Sequence, residues 1–430
     1  MSVPDTPLLR FTTLTEWLVW QEKLHFTAID LGLDRCRTVA EALGILPPAY
    51  FVISIAGTNG KGSCAAMLES ILRAAGYQVG LYTSPHLLCY NERICINGKQ
   101  AEDEDLCQAF DRIDRFRGDV SLTYFEFGTL AAMELFQNTN IEIAIMEVGL
   151  GGRLDAVNIL DADIALISTI DIDHERWLGH DRDSIGREKS GIFRPMRPAV
   201  CADPDPPPGV AETANLAGAN LLRSGHEFIH ETSADGWLWR SGLIQYNGLP
   251  IPGNHSWQIQ NASGVLMVLQ AISDHFPVDE KTVSECLRNF RIPGRFQLIP
   301  GKVPVILDVA HNRQAAATLA GNLKTLRVTG RILMVVGMLN DKNHAAFIRE
   351  LLPCVDIWYV ATLEGPRGAQ AGELASLLEA AGEKKEIHQF SSLQAALASA
   401  QEDALPGDQV VVTGSFVTVG HAMQQLGAGG

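Results

Sequence analysis

The chain has 430 residues, 46% hydrophobic and 20% charged, with a formal net charge of -16. That length exceeds what one core comfortably supports, so two or three domains are expected, and the composition excludes disordered and fibrous classes. The acidic balance excludes a nucleic-acid partner held by a clustered basic footprint, while leaving room for a small anion in a locally basic site.

The run "FVISIA" (51 to 56) predicts a buried strand that stops at a glycine loop, and "CAAMLESILRAAG" (64 to 76) predicts a helix ending on Gly76. Further strands read at "VGLYT" (79 to 83), "IEIAIMEV" (141 to 148) and "ADIALIST" (162 to 169), with a helix from "EFGTLAAMELF" between the first two of these. Strands this continuously apolar suit a parallel sheet covered on both faces. The proline-rich "ADPDPPPG" (202 to 209) reads as a surface loop, and "IPGRFQLIPG" (292 to 301) as an interdomain connection. From about 303 the strand and helix rhythm restarts with "VPVILDVA", "QAAATLAGNLKTL", "RILMVVGML", "HAAFIRELL", "DIWYVATL" and "DQVVVTGS". The expected architecture is therefore α/β: an N-terminal P-loop-type ATPase domain with a mainly parallel sheet over residues 1–296, and a C-terminal Rossmann-like α/β domain over 297–430. Eight cysteines without a CxxC pair read as reduced thiols. No basic and apolar leader opens the chain, and no apolar run nears the roughly 20 residues that span a bilayer, so a cytoplasmic protein without membrane contact is expected.

The glycine loop is "AGTNGKGS" (56 to 63). It departs from the common G-x-x-x-x-G-K-[ST] pattern, because Gly62 separates Lys61 from Ser63. Its setting is nonetheless that of a phosphate cradle: glycines permit close backbone approach, a helix begins there, and Lys61 can set a positive charge on β and γ phosphates. Glu147 ends a strand, Ser84 follows the strand at 79 to 83, and His174 follows the strand at 162 to 169. Each alone is explained by a cap or a solvated strand end, but three oxygen or nitrogen donors at three strand ends form a candidate Mg²⁺ site, completed by phosphates and water. In the second half, "LDVAHN" (307 to 312) places Asp308, His311 and Asn312 at a strand-to-helix turn, and "VTGSFVTVG" (412 to 420) does the same with Ser415. Helix capping accounts for Asn312 and Ser415 taken singly. "LTYFEFGT" (122 to 129) sets Tyr124, Phe125 and Phe127 around Glu126, and "HFTAIDLGLDR" (25 to 35) mixes apolar residues with Asp30, Asp34 and Arg35. A flat heteroaromatic substrate could use such a slot, with at least one ring left to the core.

"GTNGKGS", "TSPHL", "LTYFEFGTL", "EVGLGGRLDAVN", "DHERWLG", "SIGREKSGIFR", "PGRFQLI", "LDVAHN", "GMLNDK", "LEGPRGA" and "TGSFVTVGH" together resemble, in order over nearly the whole chain, the dihydrofolate synthase/folylpolyglutamate synthase family of the Mur ligase superfamily. The resemblance implies ATP-dependent joining of L-glutamate to 7,8-dihydropteroate and to reduced folates through an acyl phosphate. It implies that Gly57, Thr58, Asn59, Gly60, Lys61, Gly62 and Ser63 hold the phosphates, that Asn261, Arg295 and Asp308 contact ATP, and that Ser84, Glu147 and His174 bind Mg²⁺. Lys189 resembles a lysine that becomes carbamylated. His311 and Ser415 would lie near the intermediate and the incoming glutamate. Ala28, Ile29, Asp30, Thr123, Tyr124, Phe125, Glu126, Leu154, Asp155 and Ala156 would surround the pterin. Two Mg²⁺ sites, a monovalent cation such as K⁺ and a monomeric state are further implications. Two departures stand out: Arg313 replaces the proline usual after "DVAHN", and Asp171 is an added carboxylate before His174. The stretch from about 204 to 258 resembles the family least and carries no assigned role. The competing readings are a monofunctional ligase, a Mur-type ligase with a cell-wall amino-acid substrate, and a P-loop nucleotide switch that forms no bond.

Overall fold

The computed structural model describes residues 9–233, 236–326, 328–381 and 385–428. The chain divides into two compact units, one of Met1–Ser84, Tyr90–Ile170 and Trp177–Phe290, the other of Pro85–Cys89, Asp171–Arg176 and Arg291–Gly430.

The first unit is built on β1 (Phe51–Ala56), β2 (Val79–Tyr82), β3 (Ile94–Ile96), β4 (Lys99–Gln100), β5 (Ile143–Glu147), β6 (Ile164–Ile167), β7 (Pro198–Cys201) and β8 (Asn220–Arg223). They form one sheet in the order β4-β3-β2-β5-β1-β6-β7-β8, parallel from β2 to β8 with an antiparallel edge at β3 and β4. Val52, Ile53, Ile55 and Ala56 are fully buried, as expected of a central strand covered on both faces. After β1 the chain runs past β5 to reach β2, whereas after β5 it passes β1 to reach β6. The connections thus diverge at the C-terminal ends of β1 and β5, the kind of place where open α/β sheets bind ligands.

Two N-terminal helices were not read from the sequence. Leu14–Leu24 opens with a capping box between Thr13 and Glu16 and buries Trp17, and Asp34–Leu43 stops where Gly44 turns left-handed at φ 70°. The expected helix after the glycine loop begins earlier, at Lys61, and runs to Ala74. The proline-rich stretch is a loop only in part. Pro208 opens the helix Pro208–Ala217, where its fixed φ and missing N–H cost nothing. Beyond it, β9 (Phe228–Ser233), β10 (Gly236–Ser241) and β11 (Ile244–Leu249) make a separate antiparallel sheet. Trp237 and Trp239 are fully buried there, with Trp239 Nε1 donating to the Ser263 carbonyl at 3.1 Å, so these tryptophans are core residues.

The second unit carries β12 (Gln297–Ile299), β13 (Val305–Leu307), β14 (Ile332–Val336), β15 (Ile357–Ala361), β16 (Glu386–Phe390) and β17 (Gln409–Thr413), in the order β12-β13-β17-β14-β15-β16. All neighbours are parallel except β12 against β13. The segment read as a plain connection therefore supplies an edge strand. Leu87 and Leu88 pack against this unit's core, and a Cβ on Gly420 would collide with the Leu87 carbonyl.

Candidate active site

In the first unit the glycine loop links β1 to the N-terminus of helix Lys61–Ala74, where unsatisfied N–H groups and the helix dipole favour an anion. Gly57 has φ 153° and Gly60 φ 86°. A Cβ on the first would collide with the Ser168 hydroxyl, and on the second with Asn261 Oδ1. The loop is held from the end of β6: Thr58 N–H donates to the Thr169 carbonyl at 2.7 Å, Asn59 N–H to Thr169 Oγ1 at 3.1 Å, and Ser168 Oγ to the Asn59 carbonyl at 2.6 Å. Lys61 Nζ folds back to the Gly57 carbonyl at 3.0 Å and the Thr58 carbonyl at 3.4 Å. Ser63 is buried and accepts from Gln258 Nε2 at 3.2 Å, and Asn261 Nδ2 donates to Gln258 Oε1 at 2.8 Å. Asn261 thus reaches the loop through Gly60, a contact the unusual spacing of glycines makes room for.

Glu147, the last residue of β5, is buried and accepts the Ser84 backbone N–H at 3.1 Å. A Cβ on Gly62 would stand 3.8 Å from Glu147 Oε2, so carboxylate, Ser84 and loop share one corner. Lys189 is buried near the end of helix Arg182–Ser190, and the backbone of Glu188 and Lys189 presses on Gly152. Among the described residues no group of three or more His, Cys, Asp and Glu side chains is arranged to hold a metal unaided. This donor set suits a hard cation that keeps phosphate and water ligands, as Mg²⁺ does.

The residues expected around a pterin also lie in the first unit. Asp30 Oδ2 accepts from Arg35 Nη1 at 2.7 Å and lies 3.1 Å from His25 Nε2, and Arg35 Nη2 reaches Glu126 Oε1 at 3.2 Å. Thr123 and Glu126 form a capping box that starts helix Tyr124–Asn138, which gives both a structural task at this spot. Tyr124 and Phe125 are half-buried, with Arg93 5.4 Å over the Tyr124 ring and Phe125 5.8 Å from Tyr82, while Phe127 belongs wholly to the core. Ala28 and Ile29 are exposed, and the Gly32 N–H donates to the Leu154 carbonyl at 3.2 Å. Asp155 is buried before Ala156, accepting from the Leu150 N–H at 2.8 Å and the Val157 N–H at 3.0 Å. Burial pushes its pKa up to about 7 against these hydrogen bonds and a weaker pull from Lys61.

In the second unit Asp308 follows β13 and is buried, accepting the Phe296 and Ala310 N–H groups at 2.9 Å each. Burial raises its pKa, opposed by Arg295, whose guanidinium lies 4.9 Å over the Phe416 ring. His311 Nδ1 lies 2.8 Å from the Val309 carbonyl. Burial pushes His311 down to about 4, with Lys342 adding to the shift and Asp173 opposing it, so the imidazole is neutral at pH 7. Ser415 caps helix Phe416–Gln425 through the Thr418 N–H at 3.0 Å. His174 has φ 54°, and its Nε2 is 3.4 Å from Lys342 Nζ. Asp173 and Lys342 escaped the sequence reading as site residues. Asp173 stood beside the proposed metal histidine, and Lys342 lay inside the quoted "GMLNDK". The two departures from the family pattern meet: Arg313 Nη2 lies 3.9 Å from Asp171 Oδ2. Arg313 is largely exposed, so this pair contributes little to stability.

Residues 55–234 match the Mur ligase middle domain, and residues 294–416 match the Mur ligase glutamate ligase domain. The chain is 45% identical over 428 residues to the dihydrofolate synthase/folylpolyglutamate synthase of Escherichia coli (strain K12), covering 100% of this chain and 99% of the relative. Its structure is similar to that of E. coli FolC in complex with DHPP and ADP, with a TM-score of 0.93 at 44% identity, covering 98% of this chain and 99% of the other. It is similar, at a TM-score of 0.90 and 44% identity, to a bifunctional folylpolyglutamate synthase/dihydrofolate synthase with Mn, AMPPNP and L-glutamate bound, covering 98% of this chain and 100% of that one. Matched in sequence and in fold along its length, the chain belongs to the dihydrofolate synthase/folylpolyglutamate synthase family of Mur ligases.

Proposed function

We infer that the chain joins L-glutamate to 7,8-dihydropteroate, giving dihydrofolate, and to reduced folates, giving folylpolyglutamates, with ATP supplying the driving force. The observation that carries this is the end-to-end 45% identity to a relative of that name, in a chain whose glycine loop opens onto a helix N-terminus. A carboxylate is a poor acyl donor because its oxygen leaves badly. Its attack on the γ-phosphorus of ATP breaks the bond to the bridging oxygen, which leaves with ADP. The glutamate amine then attacks the acyl carbon, the amine proton is lost, and phosphate departs with the C–O electron pair. Such chemistry depends mainly on positioning and charge neutralisation.

The residue roles belong to the same reading. Residues 57 to 63 direct N–H groups at the phosphates, and Lys61 exchanges its loop carbonyls for phosphate oxygens. Asn261, Arg295 and Asp308 hold the rest of the nucleotide. Ser84, Glu147 and His174 are the protein ligands of Mg²⁺, which when bound neutralises phosphate charge. A carbamylated Lys189 would turn a buried ammonium, costly to keep charged, into an anion suited to a neighbouring cation. A second Mg²⁺ and a K⁺ are part of the proposal. Neutral His311 and Ser415 face the intermediate and glutamate, and Ala28, Ile29, Asp30, Thr123, Tyr124, Phe125, Glu126, Leu154, Asp155 and Ala156 receive the pterin. No helix among the described residues is long and apolar enough to cross a membrane, and a monomeric, cytoplasmic enzyme fits this reading.

The test is ATP-dependent incorporation of labelled L-glutamate, with 7,8-dihydropteroate and a reduced monoglutamyl folate offered separately and the products resolved by mass. Amide formation with both is expected. Incorporation into one alone reduces the enzyme to a single activity, and none with either refutes the reading. Intact-mass measurement of Lys189 peptides with and without bicarbonate tests the carbamate.

A further inference from the structure

The Asp173 carboxylate gathers donors from three separate loops of the second unit. Lys342 Nζ donates to Oδ1 at 2.9 Å and to Oδ2 at 3.2 Å, Asn312 Nδ2 donates to Oδ2 at 2.9 Å, and the His174 backbone N–H donates to Oδ1 at 2.8 Å. His311 Nε2 lies 3.9 Å from Oδ2. Lys342 comes from the turn after β14, and His311 and Asn312 from the turn after β13, so the cluster stands at the C-terminal ends of parallel strands. The side chains of Asp173 and Lys342 are 11% and 7% exposed. A pair this buried is weak support for a fold, since apolar residues of similar size would serve it as well or better. Its place at the strand ends points to chemistry instead.

We propose that Asp173 is a positioning residue for the ligation step, holding the Lys342 ammonium and the Asn312 amide in one fixed arrangement in which Lys342 neutralises the departing phosphate. The inference rests on the ligase reading above. When the acyl C–O bond breaks, its electron pair leaves on the phosphate oxygen, and a compact ammonium is suited to that charge. Asp173 exchanges no proton in this step. Its lone pairs are occupied by the donors it orients. An asparagine could not replace it: with donors on both oxygens, either orientation of the amide sets an NH₂ group against another donor.

The experiment compares Asp173→Asn, Asp173→Glu, Lys342→Met and the double variant Asp173→Asn/Lys342→Met with the wild type. It records kcat and KM for ATP, glutamate and Mg²⁺, ADP affinity by calorimetry, and melting temperature. Asp173→Asn should lose about 10²-fold in kcat, the scale of a misplaced catalytic group, while ADP affinity and the Mg²⁺ requirement stay within about threefold. The double variant should fall within about threefold of Lys342→Met alone, because the two residues act as one unit. Asp173→Glu, which keeps the charge, should retain more activity than Asp173→Asn. Unchanged kcat in Asp173→Asn, multiplicative losses in the double variant, or a loss matched by ADP affinity or Mg²⁺ requirement would each overturn the proposal, whereas a lower melting temperature is expected wherever one partner of a buried ion pair is removed. A wild-type chain that forms no amide overturns the ligase reading and this inference with it. An active wild type with an unaffected Asp173→Asn overturns the inference alone.

Discussion

Gly60 and Gly62 stand two residues apart, yet a methyl group should have opposite effects on stability at the two positions. Gly60 adopts φ 86°, and its Cβ would enter Asn261 Oδ1. An L residue in that conformation costs roughly 1–2 kcal/mol. Moving Asn261 aside breaks its bond to Gln258, worth about 1 kcal/mol. The sum, about 2–3 kcal/mol, corresponds to about a 30- to 150-fold loss in any equilibrium that needs the loop intact. Gly60→Ala should therefore show that cost as a melting temperature roughly 4 to 8 °C lower where the loop keeps its shape, or as that much weaker ADP binding by calorimetry where the loop gives way. Gly62 lies in the first turn of helix Lys61–Ala74, and its Cβ would meet only Glu147 at 3.8 Å, an ordinary contact. Gly62→Ala should keep or slightly raise the melting temperature, alanine being favoured in helices by up to about 1 kcal/mol. It should nevertheless lose at least about tenfold in ADP affinity, because the methyl takes space beside the phosphates (about 1.4 kcal/mol). A Gly60→Ala protein with wild-type melting and ADP affinity, or a Gly62→Ala protein as destabilised as Gly60→Ala, would refute this account of the loop.

Lys61→Ala should abolish glutamate incorporation while stability changes by no more than about 0.5 kcal/mol, since among the described residues Lys61 Nζ hydrogen-bonds to two loop carbonyls; retained turnover would remove Lys61 from the mechanism. Asp155, pushed up to about 7, makes the folded chain bind more protons than the unfolded chain between about pH 4 and 7. Its contribution is whole below that window and is lost as pH rises through about 7, up to about 4 kcal/mol in all. Urea midpoints of Asp155→Asn should thus decline less from pH 4 to 7 than those of the wild type, and parallel curves would show that Asp155 is not held protonated. Thr123→Ala should lose about 1 kcal/mol of stability with its capping box and raise KM for dihydropteroate, and Thr123→Ser should keep the stability; unchanged stability in Thr123→Ala would show that the capping box carries no weight here.

Much of the first sheet was legible because its strands are buried on both faces. Continuous apolar runs such as Phe51–Ala56 and Ile143–Glu147 need no partner to be recognised, and the glycine loop between strand and helix announces a helix N-terminus. The second sheet was readable on the same grounds at β13, β14, β15 and β17, while β16, a half-exposed strand at the sheet edge, was missed. β12 was missed because glycine and proline surround a three-residue edge strand whose sheet neighbour is β13 alone. The sheet of β9, β10 and β11 was missed for a related reason. Its exposed face makes those strands too polar to stand out, and its tryptophans become core residues only once helix Gln258–Ala271 lies beneath them.

The chemistry divides in the same way. Residue type and local position suffice to nominate Lys61, Glu147, His174, Asp308 and Ser415, because strand ends and helix starts are local features. What leaves no room for a side chain at Gly60 is Asn261, two hundred residues later in the chain. What raises the pKa of Asp155 is burial, and what ties Asp173 to Lys342 is the meeting of separate loops at the strand ends of one sheet. The sequence by itself thus determined the order of elements, the type of loop and the residues able to carry charge. Only the tertiary structure decided which of those residues meet and which carry a shifted pKa, since contact and desolvation depend on neighbours distant along the chain.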